Sequence, residues 1–221
     1  MKSAIVVVGK APRPGTTKTR LCPPLTPRDA AALYRGFLID TVATACSLGW
    51  DQVTVVYPKG PRMRAELGSI IPAGVRLHAQ PGRGLGPALS GTFDRHLAEG
   101  FDRVVLIGSD NPTLRADVVE DARRALDNVD VVLGPTVDGG YYLIGMARPH
   151  PEVFERITWS TSLVYGETVE RARNAGLSVV SMPTWYDVDT FDDLVRLRAE
   201  LRAAPPSLAP ATRAELAALS I

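Results

Sequence analysis

Two hydrophobic periods alternate along the chain. AIVVV (4–8), QVTVVY (52–57), VRLHAQ (75–80), RVVLIG (103–108) and DVVLGPT (130–136) are short runs rich in β-branched residues, and each predicts a strand. The first and fourth are apolar at nearly every position, the pattern of strands covered on both faces in a parallel sheet. Between the first two runs, Leu33, Phe37, Leu38, Val42 and Ala45 recur at helical spacing. Thr26 is placed to cap that helix, Pro27 suits its first position, Asp29 its first turn, and Gly49 its end. The same period predicts helices over 87–99, 115–127, 164–175 and 191–203. DGGYYLIGMA and LSVVSMP (177–183) read as two further strands.

This βαβα order predicts an α/β fold: a single Rossmann-like domain with a mostly parallel central sheet, helices on both faces and a mixed edge. The domain spans 1–203. From Ala203 three prolines lead into an Ala/Leu-rich segment, so 204–221 is expected to be a mobile tail or a short packed helix.

Composition changes this picture little. The chain has 221 residues, 45% hydrophobic and 22% charged, with a formal net charge of +1. That balance gives no reason to expect nucleic acid or an anionic membrane as a partner. Cys22 and Cys46 make no disulfide framework or metal motif, and no apolar run is long enough for a signal sequence or a membrane span. The expectation is a cytoplasmic protein with reduced thiols.

Against this neutral background, GKAPRPGTTKTRL (9–21) stands out. Lys10, Arg13, Lys18 and Arg20 follow the first strand with no acid among them, and Gly9 and Gly15 allow close backbone approach. Ligands of open α/β sheets collect at the carboxyl ends of strands, and phosphates suit such cations. The loop lacks the Walker A spacing, and a merely solvated basic loop has the same composition. Two acidic strand ends add to it. Asp110 in IGSDNPTL either holds Mg²⁺ or caps a turn, and Thr113 is an equally good cap. Asp187 and Asp189 in TWYDVDTFDDL alternate, so an extended chain points both to one face. Asp192 and Asp193 read instead as the first turn of a helix capped by Thr190.

The glycine-containing QPGRGLGPALSG (80–91) offers Gln80, Gly84 and Gly86 to a nucleotide, or is only a βα turn. VDGGYYLIG places Asp138, Gly139 and Gly140 either near a second substrate or in a tight hairpin. Trp159 and Thr161 in TWST precede a helix whose N-terminus suits an anion. The histidines have no metal spacing, and no Gly-x-Ser-x-Gly elbow or dinucleotide fingerprint is present.

GKAPRPGTTKTRLCPPLTPRDAAALYRGFLIDT, IGSDNPTL, GPTVDGGYYLIG and DVDTFDDL resemble bacterial glycosyltransferase-like proteins associated with arsenosugar biosynthesis and radical-SAM genes. These belong to the nucleotide-diphospho-sugar transferase superfamily with the GT-A fold. KTRLCPPLT and DVDTFDDL are also similar to phospholactate and phosphoenolpyruvate guanylyltransferases, and more distantly to molybdenum-cofactor guanylyltransferases. The resemblance implies that Lys10, Arg13, Lys18 and Arg20 contact donor phosphates. It implies that Asp110, Asp187 and Asp189 hold Mg²⁺ or Mn²⁺. SDN lacks the second acid of an Asp-x-Asp motif. The expected activity is nucleotidyl transfer from an NTP to a phosphorylated small acceptor, with Lys18, Arg20 and Asp110 as catalytic residues. Asp138, Gly139, Gly140, Trp159 and Thr161 are assigned to the acceptor. Glycosyl transfer from a nucleoside-diphosphate sugar and an inactive nucleotide-binding module are the alternatives.

Overall fold

The computed structural model describes residues 1–219, so the last two positions of the expected tail lie outside the described residues. Seven strands form one sheet in the order β3-β2-β1-β4-β6-β5-β7. They are β1 (Ser3–Val8), β2 (Gln52–Tyr57), β3 (Arg76–Ala79), β4 (Arg103–Gly108), β5 (Val131–Pro135), β6 (Tyr141–Met146) and β7 (Val179–Ser181). β1 pairs in parallel with β2 and β4, and β2 with β3. The mixed part lies beyond β4, where β6 runs antiparallel between β4 and β5 while β7 is parallel to β5.

Alternation on the pleat explains the unbroken apolar runs. Ile5, Val7, Val105 and Ile107 enter the core on one face, beneath α1 (Pro27–Ser47), α2 (Met63–Gly68) and α4 (Ala116–Ala125). Val6, Val104 and Leu106 enter the core on the other, beneath α3 (Leu85–Ala98) and α5 (Val164–Asn174). Each such side chain, buried from both sides, contributes roughly 1.5–3 kcal/mol of transfer free energy.

A third apolar cluster joins the outer side of α1 to α6 (Phe191–Ala203) and α7 (Pro210–Ala218), through Leu33, Phe37, Leu197, Leu201 and Leu216. The C-terminal segment thus turns through 204–209 and ends in a packed helix, Pro210–Ala218. Asp40 of α1 accepts from the Ala211 and Thr212 N–H groups at 3.0 and 2.7 Å, capping α7 from another helix. A Cβ on Gly36 would meet the Ala211 backbone at 3.1 Å, so only glycine lets the helices approach this closely.

Thr26 caps α1 by accepting from Asp29 N–H at 3.2 Å, and Thr190 with Asp193 forms a capping box on α6. α2 carries no side-chain cap and is only six residues long, so no periodic signal announced it.

Candidate active site

The strand order reverses direction in sequence between β1 and β4, which leaves a crevice at their carboxyl ends. The basic loop enters this crevice from β1 and Asp110 enters it from β4. A single turn of 3₁₀ helix at Thr19–Leu21 ends the loop. Lys18, just before it, adopts a left-handed conformation, φ 51° and ψ 41°. An L-residue takes that conformation only when its surroundings hold it.

The hold is visible. Lys18 Nζ lies 2.6 Å from Asp110 Oδ1 and 2.7 Å from Asp189 Oδ1, with its side chain 4% exposed. It also sits 6.0 Å from the ring centres of Tyr34 and Phe37. Arg20 pairs with the other oxygen of Asp189. Lys18 and Arg20, which have no acid nearby in sequence, thus find their partners more than 90 residues away. Burial pulls the Lys18 ammonium toward neutrality, but Asp110 and Asp189 outweigh it and raise its pKa. Burial likewise pushes the Asp189 carboxyl up, and Lys18 and Arg20 overcome that to hold it below the usual carboxylate range.

Lys10, Thr16, Lys18, Arg20, Asp110 and Asp189 line a cavity of about 280 Å³. Larger clefts of about 850 and 890 Å³ lie beside α2 and beyond the amino ends of the central strands, away from this cluster. The small cavity is the one in which the charged groups oppose each other.

Val188 between the two aspartates is buried, and its N–H donates to Asp110 C=O at 3.0 Å. The alternation therefore holds in an extended segment outside any strand of the sheet. The two carboxylates nevertheless part company. Asp189 faces the cations, whereas Asp187 Oδ1 accepts from Asn111 Nδ2 at 2.6 Å. Burial, then the nearby Asp110 charge, pushes the Asp187 carboxyl up to about 7. Asn111 also donates to Tyr186 C=O at 2.6 Å, and its Oδ1 is buried with no hydrogen-bond partner.

Two hydroxyls that the sequence reading missed tie the crevice together. Tyr34 OH accepts from Lys10 N–H at 3.0 Å and shares a 2.8 Å hydrogen bond with Ser109 Oγ, joining the basic loop to the end of β4. Burial above all, and then Asp110, pushes its pKa up to about 12. Tyr34 lay on the apolar stripe of a predicted helix, and nothing in the sequence distinguished it from core.

Other expected residues have different neighbours. Arg13 turns away from the crevice: its Nε donates to Glu66 Oε2 at 2.6 Å and its Nη2 to Pro61 C=O at 2.5 Å, so it anchors α2 to the loop. A Cβ on Gly9 would meet Leu38 Cδ1 at 3.1 Å, so that glycine serves helix packing. Gly86 is likewise covered, by Trp159 Nε1 at 3.0 Å. Gly15 and Gly84, with φ 76° and 85°, face open space, Gly84 at the start of α3. Gln80 N–H donates to Tyr57 C=O at 2.8 Å and continues the β2–β3 pairing.

On the acceptor side, Asp138 Oδ1 accepts from Thr136 Oγ1 at 2.5 Å and Gly140 N–H at 3.1 Å, shaping the β5–β6 hairpin. Gly139 is wedged so that a Cβ would collide with Ser162 C=O, and its own carbonyl accepts from Tyr165 N–H at 2.9 Å. Trp159 packs edge-on against Tyr141 at 6.5 Å between ring centres, and Thr161 Oγ1 donates to Thr158 C=O at 2.7 Å. The hairpin and the TWST segment do come together, through contacts that build structure.

Among the described residues, no three His, Cys, Asp or Glu side chains are disposed as a ready metal cluster. The donor set fits a metal that arrives with phosphates. Asp110 and Asp189 already grip one cation between them, and Mg²⁺ needs only one or two carboxylates besides phosphate oxygens and water. No described helix is long and apolar enough to cross a membrane.

Comparison with known proteins gives the chain a family and a fold. The model of the DUF2064 family, described as uncharacterized protein conserved in bacteria, matches residues 41–161. A 2-phospho-L-lactate guanylyltransferase from Methanothermobacter thermautotrophicus is 32% identical over 190 residues, 80% of this chain and 76% of that protein. A solved structure from Desulfovibrio desulfuricans G20, assigned as a nucleotide-diphospho-sugar transferase, superposes with a TM-score of 0.90 at 34% identity. That match covers 98% of this chain and 96% of the other. A Mycobacterium tuberculosis protein in complex with manganese shares the fold at 17% identity and a TM-score of 0.56, over 89% and 98% of the two chains.

Proposed function

We propose, for a chain that belongs to the DUF2064 family, that it is a metal-dependent nucleotidyltransferase. The transferase class rests on the guanylyltransferase relative and the matched transferase structure. The observation that carries the reading is Lys18 Nζ held between Asp110 and Asp189 at the carboxyl ends of β1 and β4.

In the proposed reaction an oxygen of the acceptor phosphate attacks the α-phosphorus of an NTP. The α–β bridging P–O bond breaks, and pyrophosphate leaves with the electron pair. Such a step needs positioning and charge neutralisation rather than a protein nucleophile. Lys10, Lys18 and Arg20 bind the phosphates and stabilise the departing pyrophosphate. Asp110 and Asp189 would hold Mg²⁺ or Mn²⁺, with Asp187 beside them. The metal, when bound, supplies charge neutralisation on the phosphate oxygens. Gly15 leaves the loop backbone open to the phosphates, and Gln80 with Gly84 suits the nucleoside. Tyr34 and Ser109 keep the loop and β4 in register.

Product analysis tests this reading. With the four NTPs supplied in turn, Mg²⁺ and a phosphorylated acceptor should release pyrophosphate from at least one of them, and Asp110→Asn should lower that rate at least a hundredfold. Release of a nucleoside diphosphate from a nucleotide sugar, with no pyrophosphate from any NTP, would replace nucleotidyl by glycosyl transfer.

A further inference from the structure

Asp110 stands between two hollows. One is the cationic cavity; the other, of about 230 Å³, lies beneath the start of α3. Its walls are Val8 from β1, Leu85 and Leu89 from α3, and Tyr141 and Tyr142 from β6, together with the β4 end. The charged side chains that line it are Asp110 and Asp187, and no Lys, Arg or His does so among the described residues. Arg83, two positions before Leu85, is exposed on the preceding loop and is not part of the wall. Of the loop cations, Lys18 holds Asp110 and Asp189 from the side of the cationic cavity, Arg20 pairs with Asp189 and Arg13 with Glu66, and none of them lines this hollow.

An anionic substituent entering this hollow would lose water beside Asp187 and Asp110 with no cation in the wall to meet it, since Lys18 and the proposed metal hold Asp110 from the side of the cationic cavity. An aliphatic or hydroxylated body would instead gain by covering Leu85, Leu89 and the tyrosine rings. We propose that the hollow takes the uncharged body of the acceptor, a small monophosphate ester that carries no carboxylate and no second phosphate. Its phosphate points back past Asp110 toward the donor. The inference rests on the nucleotidyl-transfer reading above and narrows it. It sets this chain apart from the relative named for 2-phospho-L-lactate, a phosphorylated carboxylic acid.

A matched pair tests it: 2-phospho-L-lactate and isopropyl phosphate differ by a methyl group in place of the carboxylate. Each is titrated into the full chain loaded with Mg²⁺ and each of the four α,β-methylene ribonucleoside triphosphates in turn. Isopropyl phosphate should bind at least tenfold more tightly with the analogue that the protein takes up. Leu85→Lys, at a rim position 43% exposed and therefore tolerant of substitution, should cut that preference at least tenfold. Equal or tighter binding of 2-phospho-L-lactate, or binding of neither ester, overturns the proposal. Pyrophosphate release from the natural NTPs separates the two claims. If both esters react alike, the acceptor proposal fails and nucleotidyl transfer stands. If isopropyl phosphate binds preferentially and neither ester releases pyrophosphate, the cavity assignment is supported and nucleotidyl transfer fails.

Discussion

Lys18 occupies, with one ammonium group, the space between two carboxylates where a divalent ion and a phosphate are proposed to meet. Its removal should therefore move two affinities in opposite directions. Lys18→Met keeps the apolar stem against Tyr34 and Phe37 but leaves Asp110 and Asp189 without that cation. Nucleotide-free Mn²⁺ affinity, read by electron paramagnetic resonance, should rise about tenfold as the carboxylate pair takes the ion. NTP affinity should fall by roughly 1–3 kcal/mol, the range for a charge-assisted hydrogen bond. A fall in both would mean that Lys18 holds the site open rather than standing in for a cation.

Asp187 gives a pH prediction. Its folded pKa, about 7, lies above that of an unfolded aspartate. Its contribution to stability is thus fully present below about pH 4 and is lost as pH rises through 7. Without metal, Asp187→Asn should melt several degrees higher than the parent at pH 8 and at about the same temperature at pH 4. The cations of this site were legible as a sequence cluster because they are contiguous. Their partners were not, because only the fold brings Asp189 and Glu66 to them, and Arg13 went to packing for that reason.

The strands and long helices could be read closely, since each has a strong period and recognisable ends. Thr26 and Thr190 cap as their sequence positions suggest, and Asp193, expected only in the first turn, closes a capping box with Thr190. α2 escaped because one uncapped turn has no period, yet it decides where Arg13 points. The tail was open between mobile and packed because its anchor, Asp40, sits within a different helix. Asp40→Ala should cost about 1–3 kcal/mol in denaturant unfolding, the penalty for leaving two buried N–H groups unpaired. Nucleotide affinity should not change, since α7 packs on the outer side of α1. A variant as stable as the parent would show that apolar contacts alone seat α7.

Across the whole molecule, the site follows from topology. Between β1 and β4 the chain departs in opposite directions, so the loops leaving those strands diverge and a ligand can enter between them. The segment after β7 crosses to the same crevice, which delivers Asp187 and Asp189 from the far end of the domain. The central claim is that Lys18, Asp110 and Asp189 form one metal–nucleotide site. Calorimetric titration of the four NTPs, with and without Mg²⁺, into the parent protein and Asp189→Asn tests it most directly. The account predicts that at least one NTP binds tightly only with Mg²⁺ and loses at least tenfold in affinity in the variant. Binding indifferent to both the metal and the substitution would contradict it.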